Sequence, residues 1–419
     1  MISDITRERA VLCAAYDANR RRTGLIFDLI APDAYYDRPI PLRHPFVFYE
    51  GHIPSFSFTT LVRTALGGPA IDETLETLFR RGIDPGSQSE AAAATRASWP
   101  ERERVQTYAQ SCDRRVRDAL ENETLEDARN PLLVRGEAAY NILEHEQMHQ
   151  ETLLYIVHRL ERAKKRRLPT AHRDVEPPAY RRVTIPGGIA TIGARRDEIP
   201  FGWDNEFEAH EAFVPAFEID ADNVTNGDYL EFVESDGDPP PFWHRVDGTW
   251  RVATLFEEIP LPRSWPVYVT QQQASAYARW KGMRLPTEAQ YHRAAYATPE
   301  GDERAYPWGD AAPDPSRGNF GFQRFDPVPV GSYPSGASAW GVNDLVGNGW
   351  EWTSTPFGPL PGFTPMASYP VYSADFFDGE HFVMKGASPV THEGLVRRSF
   401  RNWFRADYPY MYATFRCAN

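Results

Sequence analysis

The stretch PLLVRGEAAYNILEHEQMHQETLLYIVHRLERA, residues 131–163, decides the fold of the first part of the chain. Its apolar residues, among them Leu143, Leu153 and Ile156, recur at the three- and four-residue spacing of an amphipathic helix. The same spacing is found upstream, in residues 5–30, 44–66 and 100–122. Four such segments joined by loops predict a four-helix bundle. The loop at 82–100 is the one long interior connection, and loops of this length are often functional.

The second part of the chain has a different texture. A basic and then proline-rich stretch, residues 164–180, is typical of a linker. Beyond it, short β-like pieces alternate with glycines, prolines and aromatic residues, and residues 270–283 form the one clear helical pattern. The sequence therefore predicts an α plus α+β chain, with a helical domain at 1–168 and an irregular, loop-rich α+β domain at 179–419.

Composition excludes several classes of protein. A chain of 419 residues with 42% hydrophobic and 25% charged residues is expected to be globular and to fold as two domains. It has no apolar run long enough to span a membrane, and its N-terminus lacks the apolar core of a signal peptide. Three scattered cysteines fit a reducing compartment, so we expect a cytoplasmic protein. A net charge of −13 argues against nucleic acid as a partner.

The pair His145 and His149 is the sharpest chemical signal in the sequence. Residues four apart on a helix lie about 40° apart around its axis and one turn along it. Two imidazoles placed in this way can reach one metal ion, and a pair at this spacing on a bundle helix favours a metal site over two unrelated core histidines.

A third ligand is expected from another helix of the bundle. His52, in FYEGHIPSF, is our choice, although judged alone it is equally well explained as a hydrogen-bonded core histidine. His44 is the rival, and is better explained as a cap or as a residue behind the ligands. Three neutral imidazoles would leave several coordination positions for substrates and oxygen, much as in non-haem iron oxygenases. Glu151 is interpreted as a group that orients a ligand, or else as a solvated carboxylate.

The same residues also match H-E-x-x-H, the motif of zinc hydrolases in which the glutamate, here Glu146, acts as general base. The metzincin extension of that motif is excluded, because it requires glycine and histidine at the positions that Thr152 and Tyr155 occupy here. A distant glutamate ligand would still allow another hydrolase. A bundle that stores or senses a metal-bound ligand without catalysis is the third possibility.

Taken in order, these motifs resemble a known family. A distal histidine followed by H-x3-H-x-E, here His52 and then His145, His149 and Glu151, is similar to the DinB-like bundle of the ergothioneine-biosynthesis sulfoxide synthases. The second half resembles the formylglycine-generating-enzyme domain, a C-type-lectin-like fold; its matching strings include RLPTEAQY, YPWGD, GVNDLVGNGWEWT, RNWF and FRCAN. Formylglycine generation itself is not expected, since RRSFRNWFRAD lacks the close pair of cysteines which that chemistry uses.

The resemblance implies specific roles. Fe(II) would be held by the three histidines, and the C-terminal domain would complete the substrate pocket for hercynine, a thiol or selenosugar, and O2. Tyr372 matches the family tyrosine that supplies a proton or hydrogen atom, which suits a phenol because it is weakly acidic and oxidisable. Asn402 and Trp403 match residues near the trimethylammonium and carboxylate groups of the substrate, and an aromatic face suits a quaternary cation.

Two departures from the family concern substrate binding. Met148 stands where many members have a glutamine that helps to bind the betaine. The arginine pair that clamps a γ-glutamyl-cysteine donor has no clear counterpart, since the candidates Arg80 and Arg81 lie in LFRRGIDP, a different local pattern. The implied reaction is C–S or C–Se bond formation at imidazole C2. The missing clamp slightly favours a selenosugar, as in the selenoneine branch, over a cysteine-type donor.

Overall fold

The computed structural model describes residues 2–80, 82, 99–168 and 170–419, with side chains from residue 8 onward. Most of the long loop at 82–100 and Arg81 thus lie outside the described residues. The chain divides into two compact units, Met1–Leu168 and Pro169–Asn419. Within the described residues, no helix combines the length and apolar character needed to cross a membrane.

In the described part of the first unit four long helices are found, as predicted. They are α1 (Ile2–Phe27), α2 (Phe46–Ser57), α4 (Arg102–Asn122) and α5 (Glu137–Arg159), with the short α3 (Glu73–Phe79) between α2 and α4. Helix α2 packs against α4 and α5, and α1 packs against the same two helices. Pro45 precedes the first turn of α2, and the helix passes directly into a π-helical segment, Phe58–Ala65.

Helix α5 is buried along most of its length. From Ala138 to His158 nearly every side chain is buried, polar ones included. Its entry is set by Gly136, whose φ of 69° lies in the left-handed region that favours glycine. Because the helix is enclosed on all sides, its polar residues must find partners on the neighbouring helices.

The second unit is built from short strands and loops. Its strands are β1 (Arg182–Ile185), β2 (Gly188–Ile192), β3 (His210–Val214), β4 (Phe217–Asp220), β5 (Trp243–Val246), β6 (Thr249–Ala253), β7 (Glu258–Pro260), β8 (Gly349–Pro356), β9 (His381–Ala387), β10 (Asn402–Arg405) and β11 (Ala413–Thr414). The largest sheet has the order β10-β9-β8-β11, in which only the β8–β11 pair is parallel. Three smaller antiparallel sheets pair β1 with β4, β2 with β3, and β5, β6 and β7 in sequence.

Three helices accompany these strands, where the sequence pattern indicated one. They are α6 (Asn226–Glu234), α7 (Gln271–Trp280) and α8 (Glu288–Tyr296). Tyr291 on α8 packs into a core with Ile185, Ile219 and Leu345. The prediction of a helical unit followed by an irregular α+β unit is confirmed, but the expectation of a single helix in the second unit is wrong.

Candidate metal centre

Helices α2 and α5 bring three histidines together in the first unit. His145 and His149 lie one turn apart on α5, and His52 comes from α2. The Nε2 atom of His149 lies 3.1 Å from that of His145 and 3.2 Å from that of His52. All three side chains are buried, and their ligand atoms lie within 4.8 Å of one another. We call these residues the histidine triad.

The spacing of the triad fits a divalent transition metal. Two nitrogens bound at about 2.1 Å and at right angles to each other are about 3 Å apart, close to the two separations found here. The Nδ1 atom of His52 lies 2.7 Å from the carbonyl oxygen of Phe79. A proton on Nδ1 makes this a hydrogen bond and leaves the Nε2 lone pair free for a metal, the usual arrangement around a histidine ligand.

Aromatic rings hold the imidazoles in place. The Phe56 ring stacks on His145 with 3.5 Å between ring centres, and Phe48 stacks on His52 at 4.8 Å. Tyr49 meets His149 edge-on at 5.9 Å. These contacts restrict the rotation of each imidazole, so the nitrogens stay directed at one point.

The electrostatics of the triad favour neutral imidazoles. Burial lowers the pKa of His52 to about 4. Burial likewise lowers the pKa of both His145 and His149 well below the usual value, and the neighbouring imidazoles lower it further. A neutral imidazole keeps the lone pair that a metal requires, so at neutral pH all three residues can act as ligands.

Glu146 is engaged by the neighbouring helix α1 through one of its carboxylate oxygens. Its carboxylate is fully buried, accepts a hydrogen bond of 2.6 Å from the Thr23 hydroxyl, and pairs with Arg20 at 2.8 Å. Burial raises the pKa of Glu146, and the charge of Arg20 opposes that rise. Arg20 also pairs with Asp113 at 3.0 Å. Glu146 is thus tied to a charge network with α1 and α4, which disfavours the hydrolase interpretation.

The other candidate residues of this unit differ in burial and are not part of the triad. His44 is not a member of the triad; its Nε2 lies 3.0 Å from the Gly82 carbonyl oxygen, and its ring packs on Phe48. Glu151 is buried on α5, and Met148 is half-buried on the same helix. Arg80 is exposed at the end of α3. Arg81, as noted, lies outside the described residues.

In the second unit, two of the predicted residues lie in one aromatic cluster. The rings of Tyr372 and Trp403 meet edge to face with 5.1 Å between ring centres, and Trp203 stacks on Tyr372 with 3.9 Å between ring centres. Trp403 in turn stacks on Phe357 at 4.2 Å. Asn402 precedes Trp403 on β10, and its Oδ1 accepts a hydrogen bond of 2.9 Å from the Trp403 backbone N–H.

Comparisons with known proteins agree with both halves. Residues 168–419 match the family described as the sulfatase-modifying factor enzyme 1-like domain, and residues 15–153 match the DinB superfamily. The chain is 38% identical over 299 residues to the hercynine oxygenase of Mycolicibacterium smegmatis, covering 64% of this chain and 67% of that protein. The chain belongs to the hercynine oxygenase family.

Further relatives of this family match different lengths of the chain. The hercynine oxygenase of Mycobacterium tuberculosis is 39% identical over 242 residues, 52% of this chain and 55% of that protein. Ergothioneine biosynthesis protein 1 of Schizosaccharomyces pombe is 29% identical over 446 residues, 95% of this chain and 54% of its own. The chain thus spans about half the length of these two relatives. The resemblance proposed from the sequence is confirmed at the level of the family.

The sequence did not indicate the groups that orient the predicted site residues. The Phe79 carbonyl, the Phe56 ring and Trp203 carry no motif of their own, because a backbone carbonyl and a packing aromatic can occur anywhere in a sequence. The sequence shows only that Trp203 is followed by three polar residues, Asp204, Asn205 and Glu206; that all four are buried is a finding of the structure. The carboxylates of Asp204 and Glu206 find partners in Ser373 and Ser399, whereas in the described part of the chain the Asn205 side-chain amide is buried without one.

Proposed function

We propose that this chain is an iron- and oxygen-dependent enzyme that joins a chalcogen atom to imidazole C2 of hercynine. The observation that carries the proposal is the buried triad of three neutral imidazoles in a member of the hercynine oxygenase family. Three nitrogen ligands without a carboxylate leave coordination positions for two substrates and oxygen. His52, His145 and His149 would hold Fe(II).

Iron held by the triad would activate oxygen and lower the pKa of the donor thiol or selenol, so that its anion exists at neutral pH. The remaining roles fall to residues of the chain. Tyr372 would supply a proton during the oxygen reaction, since a phenol is a weak acid that can reload from solvent. Glu151, buried on α5 two residues after His149, would orient a ligand imidazole.

Hercynine carries a trimethylammonium group and a carboxylate, and β10 offers a group for each. The half-buried Trp403 ring is a suitable face for a quaternary cation. The Oδ1 atom of Asn402 is already engaged by the Trp403 N–H, so the amide NH2 is the group that can donate to the carboxylate. Met148 would contribute apolar contact in place of the amide that many family members have at this position.

The donor is proposed to be a selenosugar or a cysteine-type thiol rather than γ-glutamyl-cysteine. Arg80 is exposed, and the arginine pair with which many family members clamp the donor carboxylates has no clear counterpart in this sequence. Charge-assisted hydrogen bonds to such carboxylates are worth roughly 1.5–3 kcal/mol each, so a donor that depends on them would bind poorly without the clamp. A sugar-linked selenol needs only ordinary hydrogen bonds, and selenols ionise more readily than thiols.

The test is a competition experiment. The protein is loaded with Fe(II) without oxygen, mixed with hercynine and equal concentrations of a selenosugar, cysteine and γ-glutamyl-cysteine, and then exposed to oxygen. Mass spectrometry should find hercynine-derived products joined to selenium or sulfur, with the γ-glutamyl-cysteine product least abundant. Preferred use of γ-glutamyl-cysteine would contradict the proposed donor but leave the reaction class intact.

Two other outcomes separate the alternative functions. Oxygen-independent hydrolysis that requires Zn²⁺ would support a hydrolase, and binding of iron and hercynine without any turnover would support a storage or sensing role. His158→Ala provides the control for loss of iron through a histidine variant, because His158 lies on α5 but outside the triad. It should retain iron and turnover, whereas His145→Ala should lose both.

A further inference from the structure

The loop that carries Tyr372 is contacted by a short turn of the second unit, Trp203–Glu206. Tyr372 lies in a loop between β8 and β9, where the polypeptide forms only a 3-10 turn, Ala374–Phe376. A tyrosine in such a loop has no sheet or helix to fix its direction, and a catalytic group must be held within about 0.5 Å of its working position. Its orientation therefore depends on side-chain contacts.

The turn Trp203–Glu206 supplies two of these contacts. The indole ring of Trp203 stacks on the phenol ring of Tyr372, with 3.9 Å between ring centres and 23° between planes. The Asp204 carboxylate accepts hydrogen bonds from the Ser373 hydroxyl and, at 3.4 Å, from the Met366 backbone N–H. The turn thus binds the loop at two places, Ser373 directly after Tyr372 and Met366 six residues before it.

The other half of the same turn holds the chain around β10. The Asn205 carbonyl oxygen accepts a hydrogen bond of 3.2 Å from Arg401, the residue before Asn402. The Glu206 carboxylate pairs with Arg397 at 2.8 Å and accepts a hydrogen bond of 2.7 Å from the Ser399 hydroxyl. The Tyr372 loop and the chain around β10, the two segments expected to meet the substrate, therefore both contact the same four consecutive residues.

All four residues of this turn are buried. The exposed fractions of Trp203, Asp204, Asn205 and Glu206 are 1%, 2%, 1% and 0%. Glu206 also accepts a hydrogen bond of 2.8 Å from the backbone N–H of Trp203, which closes the turn on itself. A buried turn closed by its own hydrogen bond is a better reference point than a surface loop, because it has few alternative conformations.

We propose that Trp203 and Asp204 are positioning residues for Tyr372, holding its phenol in one orientation relative to Trp403. The inference rests on the proposed function, because the orientation of Tyr372 affects catalysis only if Tyr372 supplies a proton. Trp203 fixes the ring plane from one face while Trp403 meets the ring edge-on at 5.1 Å. Asp204 fixes the backbone that carries the ring. Neither residue needs to touch a substrate.

A double-mutant experiment tests whether Trp203 acts through Tyr372. Trp203→Leu removes the stacked ring, Trp203→Phe keeps an aromatic face, and Tyr372→Phe removes the phenol. The readout is the ratio of coupled chalcogen product to donor oxidised alone, in iron-loaded protein at saturating substrate. Trp203→Leu should lower this ratio, on the order of tenfold for a misplaced catalytic group, and Trp203→Phe should restore most of it.

Dependence on Tyr372 is the decisive feature. In the Tyr372→Phe background, Trp203→Leu should change the ratio no further, since residues that act through one another are not additive. An equal change in both backgrounds, or an unchanged ratio in folded Trp203→Leu protein, would overturn the inference. Trp352→Phe is the matched control: Trp352 is fully buried in the same unit, and its indole N–H donates to the Val269 carbonyl. It should leave the ratio unchanged.

Hydrogen exchange gives a readout that does not depend on catalysis. Asp204→Asn should speed the exchange of backbone amides in residues 366–377 relative to wild type, with the rest of the second unit unchanged. Unchanged protection of that segment would overturn the anchoring role of Asp204, whatever the activity. If wild-type protein makes no coupled product, the proposed function fails and the catalytic role of the turn fails with it, while the exchange data still decide whether the anchor exists.

Discussion

Replacing Gly51 with alanine should disturb the metal centre without touching a ligand. Gly51 precedes His52 on α2 and faces the ring of Phe79, the residue whose carbonyl oxygen contacts the His52 Nδ1 atom. A Cβ atom on Gly51 would lie 2.5 Å from Cε1 of that ring and closer still to two other ring atoms. Ordinary carbon contacts are about 3.5–4.0 Å, so the ring would have to move by roughly 1 Å.

The expected loss of stability and of metal affinity in Gly51→Ala follows from the tight packing of Phe79. The side chain is 1% exposed and packs on Tyr108 with 5.9 Å between ring centres. Overpacking at such a site typically costs about 1–3 kcal/mol of unfolding free energy. A shift of Phe79 also moves the carbonyl that orients His52, and losing such a partner typically weakens metal binding by roughly 10–100-fold.

Two measurements on apo and metal-loaded protein test this reasoning. Denaturant unfolding gives the stability, and anaerobic calorimetric titration with Fe(II), or with Co(II) as an air-stable substitute, gives the affinity. Gly24→Ala is the control, because nothing lies within 4 Å of the added Cβ on α1; it should stabilise by about 0.5–1 kcal/mol. Adding Phe79→Leu to Gly51→Ala should recover part of both losses. Gly51→Ala protein with unchanged stability and affinity would refute the argument.

Three further variants address the site directly. His52→Ala should fold but lose iron and activity in metal analysis, while His158→Ala keeps both; full iron content in His52→Ala would assign the third ligand elsewhere. Tyr372→Phe should still bind iron and hercynine but yield more donor oxidised alone by mass spectrometry, and an unchanged rate and product ratio would reduce this residue to packing. Glu146→Gln should cost about 1–3 kcal/mol of unfolding free energy, because a buried charged hydrogen bond to Arg20 is weakened, while iron content stays full. Lost turnover with unchanged stability would instead indicate a base.

Much of the candidate metal centre could be predicted, because two of its residues follow the spacing of a helix. The i,i+4 spacing of His145 and His149 follows from helix geometry alone, and a buried helix forces its polar side chains to converge on something. The choice of His52 over His44 could not be made from spacing. It depends on α2 turning His52 toward α5, while His44, before the first turn of that helix, contacts the Gly82 carbonyl.

The irregular unit was harder to predict, for two physical reasons. Its helices are short, at nine or ten residues, so their apolar periodicity is weak. Each nevertheless begins with a threonine whose side chain accepts a hydrogen bond three residues on, at Thr225, Thr270 and Thr287, and this capping pattern was readable in the sequence. By contrast, the pairing of Trp203 with Tyr372 joins positions far apart in the chain, and no local rule predicts it.

The fate of Glu146 shows why a short motif does not determine a reaction. H-E-x-x-H places the glutamate next to a ligand, but the neighbouring helix decides what its carboxylate meets. Here α1 presents Arg20 and Thr23, and both bind the carboxylate at hydrogen-bond distance. The carboxylate oxygen that meets both groups is engaged in structural contacts, even though burial raises the pKa of Glu146 above its usual value. The same five residues can therefore serve a hydrolase in one bundle and the metal centre of an oxygenase in another, and the residues opposite the motif make the difference.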